Sequence, residues 1–255
     1  MGTWAARRVS AVLATVTMAV LASGCDQVSS ALGNAAGTTA PAATSGSAAG
    51  GSGTGKVIGG QDIGAPGSAL TALNTLTVKP LSTSKTYDRD AFGTPWYDED
   101  HNGCDTRNDV LQRDLVSRVL RSGSKCIVQS GQLTDPYTTK IIRFNRGKDS
   151  AVIQIDHIVP LGDAWRTGAY AWTDAQRRAL ANDPQELLAV DGPTNEAKGD
   201  DDAGEWLPPA TNFHCQYVAR QIGIKARYHL WVTQAEKDGM RRALQTCPSQ
   251  PELGG

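Results

Sequence analysis

Two short runs carry side chains able to do chemistry at neutral pH. The first, Asp156-His157-Ile158-Val159-Pro160, ends the apolar stretch Ala151-Val152-Ile153-Gln154-Ile155. An imidazole with an ordinary pKa of about 6.5 accepts a proton at neutral pH, and a neighbouring carboxylate offers hard oxygen to Mg²⁺ or Mn²⁺. The second run, Asn195-Glu196-Ala197-Lys198, adds an amide oxygen and an ammonium three residues apart, on nearly one face of a helix. Taken alone, the Asp-His pair equally suits a polar strand end held by its own hydrogen bond. A third run, Asp98-x-Asp100-x-Asn102-Gly103 with Asp109 further on, has the spacing of an EF-hand loop and would take Ca²⁺. Pro95 disfavours the helix that should precede such a loop, and the same acids suit a tight turn capping the next helix.

These residues need elements to hold them. Residues 151–155 read as a strand delivering Asp156 and His157 at its end, where side chains project into a loop. Residues 186–190 read as a second short strand. Asp191-Gly192-Pro193 reads as a turn, with Thr194 capping a helix from Asn195. Upstream, the apolar spacing of 106–120 predicts a helix, and 126–144 a hairpin turning at Thr134-Asp135-Pro136 with its second strand over 137–144. Thr173 with Gln176, and Thr233 with Glu236, have capping-box spacing; residues 215–232 read as a further helix. His214 and His229 read as packing residues, and Arg220, Lys225 and Arg227 as a small basic face. The class is α+β.

The N-terminus points to export. Arg7 and Arg8 precede an uncharged apolar run over 9–22, of signal-peptide rather than membrane-spanning length. Leu21-Ala22-Ser23-Gly24-Cys25 resembles the lipobox of bacterial lipoproteins, which implies an acylated Cys25 and a lipid anchor on a membrane; plain secretion is the alternative. Residues 26–68 are rich in Ala, Gly, Ser and Thr and read as a flexible tether with a reach of roughly 35–40 Å. Residues 69–255 form one domain holding 22 Lys and Arg against 24 Asp and Glu, a net charge of −2. That balance excludes a surface coated in positive charge for indiscriminate nucleic-acid binding. Four cysteines follow Cys25, and four allow three pairings. The sequence-local one, Cys104–Cys126 with Cys215–Cys247, is expected, and the absence of CxxC spacing argues against zinc.

The order strand, Asp-His, loop, strand, turn, helix with N-x-x-K resembles the HNH (ββα-metal) nucleases. The runs YDRDAFG, WYDEDHNGCDTRNDVLQRD, IDHIVPLGDAW, LLAVDGPTNEAKGD and EWLPP are more similar still to exported bacterial HNH-like proteins related to the C-terminal domain of GmrSD restriction enzymes. The resemblance covers nearly all of 85–247. It implies a single domain built on a ββα-metal motif and phosphodiester hydrolysis, of DNA ahead of RNA, with one divalent ion, Mg²⁺ or Mn²⁺. It makes His157 the general base, Asp156 and Asn195 the metal ligands, and Lys198 and Arg107 phosphate contacts, in a monomeric protein. Where the family carries a middle Asn bracing the histidine loop, this chain has Glu186, a loop brace or extra ligand that accepts hydrogen bonds but, ionised, donates none. The alternative reading is a non-catalytic surface lipoprotein binding calcium or nucleic acid on a degenerate HNH scaffold.

Overall fold

A computed structural model describes residues 65–147 and 149–254. In chain order the elements begin with α1 (Ala69–Thr75), α2 (Thr106–Asp114), β1 (Val116–Leu120), β2 (Val128–Thr134) and β3 (Ile141–Asn145). They continue with β4 (Ile153–His157), α3 (Leu161–Arg166), α4 (Asp174–Ala181) and β5 (Leu187–Asp191). Last come α5 (Gly192–Lys198), α6 (His214–Arg227) and α7 (Gln234–Leu244). The class is α+β, as the sequence implies. The export signal, Cys25 and the tether up to residue 64 lie outside the described residues. Residues 65–68 belong to the fold: Ser68 bridges to Pro251 and caps α1 by accepting from the Thr71 N–H at 3.3 Å.

β4 and β5 pair antiparallel, with Ile153 opposite Asp191, Ile155 opposite Ala189 and His157 opposite Leu187. The two-residue alternation of a strand divides their side chains. Ile153, Ile155, Leu187 and Ala189 pack with Val110, Leu111, Leu115, Val128 and Phe144 in one core cluster. Val190 and Ile158 join a second cluster with α1, α6 and α7. α5 follows β5 without a loop. Its cap is Asp191 rather than Thr194: the Asp191 carboxylate accepts from the Thr194 N–H at 3.1 Å, and the helix starts at Gly192 with Pro193 in its first turn. Gly192 is required sterically, since a Cβ there would lie 2.3 Å from the Ala151 oxygen.

Three element expectations are corrected. The helix expected over 106–120 ends at Asp114, and 116–120 is an edge strand on β2. Val116 and Val119, both β-branched, suit a sheet better than a helix, and the Asp114 carboxylate takes the Ala189 N–H at 2.9 Å. The second hairpin strand begins at Ile141, because 135–140 form a wider turn that buries Tyr137 completely. α6 stops at Arg227, where His229 adopts a φ of 54°, a left-handed conformation that ends a helix. His229 is exposed rather than packed, whereas His214 is tied to the Pro208 oxygen at 2.7 Å. Both capping boxes form. So do both expected disulfides, Cys104–Cys126 and Cys215–Cys247.

Candidate active site

The end of β4 is held from four sides. The Ile158 N–H donates to the Glu186 carbonyl at 2.9 Å, and the Val159 N–H is shared by the Glu186 carboxyl oxygens at 3.1 and 3.2 Å. Gln221 donates to the Ile158 carbonyl at 2.9 Å, and the Lys198 ammonium to the His157 carbonyl at 2.6 Å. Glu186 therefore sits as the brace of the histidine loop. It is fully buried, and burial, its largest influence, raises its pKa well above the usual carboxylate range. Its oxygens accept whether or not one carries a proton, so only the acceptor half of an amide's role is needed here. An acid raised by folding binds more protons folded than unfolded, so its contribution to stability is lost as pH rises through the window above about 4.3. Glu186→Gln should keep the acceptor, flatten that pH dependence and leave neutral-pH stability within about 1 kcal/mol, whereas Glu186→Ala should cost about 1–3 kcal/mol. Urea titrations at pH 5 and pH 8 distinguish the two.

His157 is half-buried, with its ring stacked on Trp96 at 6.4 Å between centroids and 12° between planes. Its Nε2 lies 3.0 Å from the Ala181 carbonyl. A carbonyl can only accept, so Nε2 carries the hydrogen and, in the neutral ring, the lone pair sits on Nδ1. Burial is the main cause pushing the His157 pKa down to about 4; the Ala181 contact opposes it, and the Arg89 and Lys198 cations add to it. The imidazole is therefore a neutral base at pH 7.

Asp156 is buried, and its carboxylate accepts from Lys198 at 2.8 and 2.7 Å and from the Tyr137 hydroxyl. Asn195 donates its NH₂ to Gln154 at 2.9 Å, and Gln154 in turn donates to Glu196 at 2.7 Å. That chain turns the amide oxygen of Asn195 into the end available to a cation. Asp156, His157 and Asn195 line one cavity of about 240 Å³, together with Arg89, Pro160 and Asp200. The oxygens lining this cavity, from Asp156, Asn195 and Asp200, are hard donors of the kind Mg²⁺ or Mn²⁺ takes, and both oxygens of Asp156 also accept from Lys198. His157 also lines a smaller cavity of about 70 Å³, together with Phe92, Trp96, Ala181 and again Arg89.

The two cations assigned to phosphate turn inward. The Lys198 side chain is completely buried, because the helix face it shares with Asn195 looks onto β4 rather than into solvent. Arg107 donates to the carbonyls of Ser150 at 3.2 Å and Ile153 at 3.1 Å and lies over the Trp96 ring; it anchors the entry to β4. The basic face expected on α6 is also absent. Lys225 is buried between Asp163 at 2.7 Å and Glu236 at 2.6 Å, Arg227 pairs with Asp183 at 2.9 Å, and Arg220 caps the Gln185 carbonyl at 2.6 Å. The buried carboxylates Asp163, Asp202 and Glu236 lie close enough together to hold an ion, but the Lys225 ammonium already supplies positive charge there.

The acidic loop directs its oxygens at its own backbone. Asp98 accepts from the N–H groups of Asn102 at 3.1 Å and Gly103 at 2.9 Å, Asp100 from Asn102 at 3.2 Å, and Asn102 from Cys104 at 2.7 Å. A single 3-10 turn, Asp90–Phe92, stands where an EF-hand would have its helix. Asp109 sits in the first turn of α2, its pKa raised by burial first and by neighbouring acids.

Three site residues escape sequence reasoning. Asp200 belongs to the same NEAKGD run as Asn195 and is turned back by Gly199, at φ 56°, so that its carboxyl abuts Gly162. Tyr137 has no signal beyond being an aromatic in a turn. Arg89 lies far upstream, in YDRDAFG.

Residues 105–243 match the family model described as GmrSD restriction endonucleases, C-terminal domain. The chain is also 38% identical over 189 residues, 73% of this chain and 88% of the other, to an uncharacterized secreted protein of the fungus Arthroderma benhamiae. No solved structure matches significantly. The matched span encloses both strands and the helix that carry Asp156, His157 and Asn195, and the chain belongs to the family of GmrSD restriction endonuclease C-terminal domains.

Proposed function

We propose that the protein is an exported, metal-dependent HNH endonuclease that hydrolyses phosphodiester bonds of DNA. The observation that carries this reading is that an imidazole whose Nδ1 has no hydrogen-bond partner among the described residues lines the same cavity as Asp156 and Asn195. His157 takes a proton from water as it adds to phosphorus, in line with the departing 3′ oxygen. Asp156 and Asn195 would hold the divalent ion, which supplies charge stabilisation to the phosphate and the leaving oxygen when bound. Glu186, Gln221 and Lys198 keep the histidine loop in place, so the base does not have to be ordered during the reaction. The secreted relative and the two disulfides support an exported setting, with Cys25 as the lipid anchor and residues 26–64 as its tether.

The test is plasmid nicking by the purified protein with Mg²⁺, with Mn²⁺ and with EDTA, beside calorimetric titration of Mn²⁺. Nicking should require the ion, and Asn195→Ala should weaken Mn²⁺ binding by at least about tenfold. A protein that binds DNA but cleaves under neither ion would leave the non-catalytic binding reading standing instead.

A further inference from the structure

The proposed reaction needs a cation facing the phosphodiester, and the structure has turned both Lys198 and Arg107 inward. Arg89 stands where they do not. It lines the cavity holding Asp156 and Asn195 and also the smaller one, and His157 lines both. The residue is exposed, and among the described residues it forms no ion pair. Its backbone, in contrast, is secured. Arg89 opens the 3-10 turn Asp90–Phe92, Phe92 is buried against the core, and Arg177 donates to the Ala91 carbonyl at 2.9 Å. The Arg89 side chain also interacts with the neighbouring Tyr87 hydroxyl, and an exposed guanidinium on a fixed backbone can recognise a phosphate through paired N–H donors.

We propose that Arg89 contacts the scissile phosphate, or the one next to it, beside His157. This assignment rests on the nuclease reading and extends it to a residue that directly touches substrate. Arg89→Ala, Arg89→Lys and the unmodified protein are compared in Mg²⁺-dependent nicking. Binding to a labelled duplex is then measured by fluorescence anisotropy across a salt series, in a His157→Ala background to prevent turnover. Arg89→Ala should lower kcat/KM by about 10²–10³-fold and reduce the slope of log K against log salt by about one. Arg89→Lys should restore the slope but only part of the rate, because a point charge lacks the fork. An Arg89→Ala protein that keeps kcat/KM within about twofold and an unchanged slope overturns the assignment while leaving the nuclease reading intact. If the unmodified protein neither nicks nor binds, both readings fall together. Thermal melts of each variant accompany the assays; should Arg89→Ala not fold, Arg89→Gln takes its place with the same expected losses.

Discussion

Nicking by a His157→Ala variant should fall by about 10²–10⁴-fold, the usual contribution of a positioned general base, with the fold retained. The ring is half-buried and its hydrogen-bond partner is one carbonyl, that of Ala181. Its removal takes away the lone pair and the Trp96 stack but opens no ion pair. A pH profile sharpens the expectation. Burial lowers the His157 pKa to about 4, so the base stays unprotonated well below the ordinary value of about 6.5. The acid limb of kcat/KM should therefore lie near 4, not near 6.5. The same shift has a stability consequence with the opposite sense to that of Glu186. Between 6.5 and 4 the unfolded chain binds the proton and the folded one resists it, so stability declines as pH falls through that window. His157→Gln should remove this decline. An acid limb at 6.5, or a variant as active as the parent, would refute the role given to this imidazole.

Lys198→Met should be the most destabilising single change in the site, at about 3–5 kcal/mol. The ammonium is fully buried and bonds both oxygens of Asp156, itself only 7% exposed in its side chain, and the same group holds the His157 carbonyl at 2.6 Å. Methionine fills similar space but leaves the Asp156 carboxylate buried with the Tyr137 hydroxyl as its remaining partner. An uncompensated buried charge is costlier than the pair was worth. The double variant Asp156→Asn with Lys198→Met removes both charges and should regain much of the loss. Urea unfolding at neutral pH measures each variant. A Lys198→Met protein within about 1 kcal/mol of the parent, or a double variant no better than the single, would show that the pair is not the buried lock described here. Both outcomes separate stability from catalysis, because Lys198→Met should also loosen the histidine loop and lower the rate of whatever protein remains folded.

The elements that carry the site were legible because their signals are local. An apolar run closed by Asp-His and Pro announces a strand end, and Asp191-Gly192-Pro193 announces a break before a helix, although the helix begins at Gly192 itself rather than at Asn195. Capping boxes and nearest-neighbour disulfides are likewise properties of short stretches. The stretch 106–120 misled because its apolar residues fit a helical period throughout, and only the availability of β2 as a partner makes strand pairing the better outcome for Val116 to Leu120.

By itself the sequence determined the family, the ββα order and the expected disulfide pairing, and it marked Asp156-His157 as the candidate site at a strand end. The tertiary structure decided what each charge faces. Spacing places Lys198 on the same helix face as Asn195, but whether that face meets solvent or the Asp156 carboxylate depends on how α5 lies on β4. The carbonyl of Ala181 meets His157, the carboxyl of Glu186 meets Val159, and Arg89 lines the same cavity as His157, all from distant stretches. A residue type states which bonds it can make; which partner is present, and how much water remains to compete, are set by packing between segments that the chain order leaves apart.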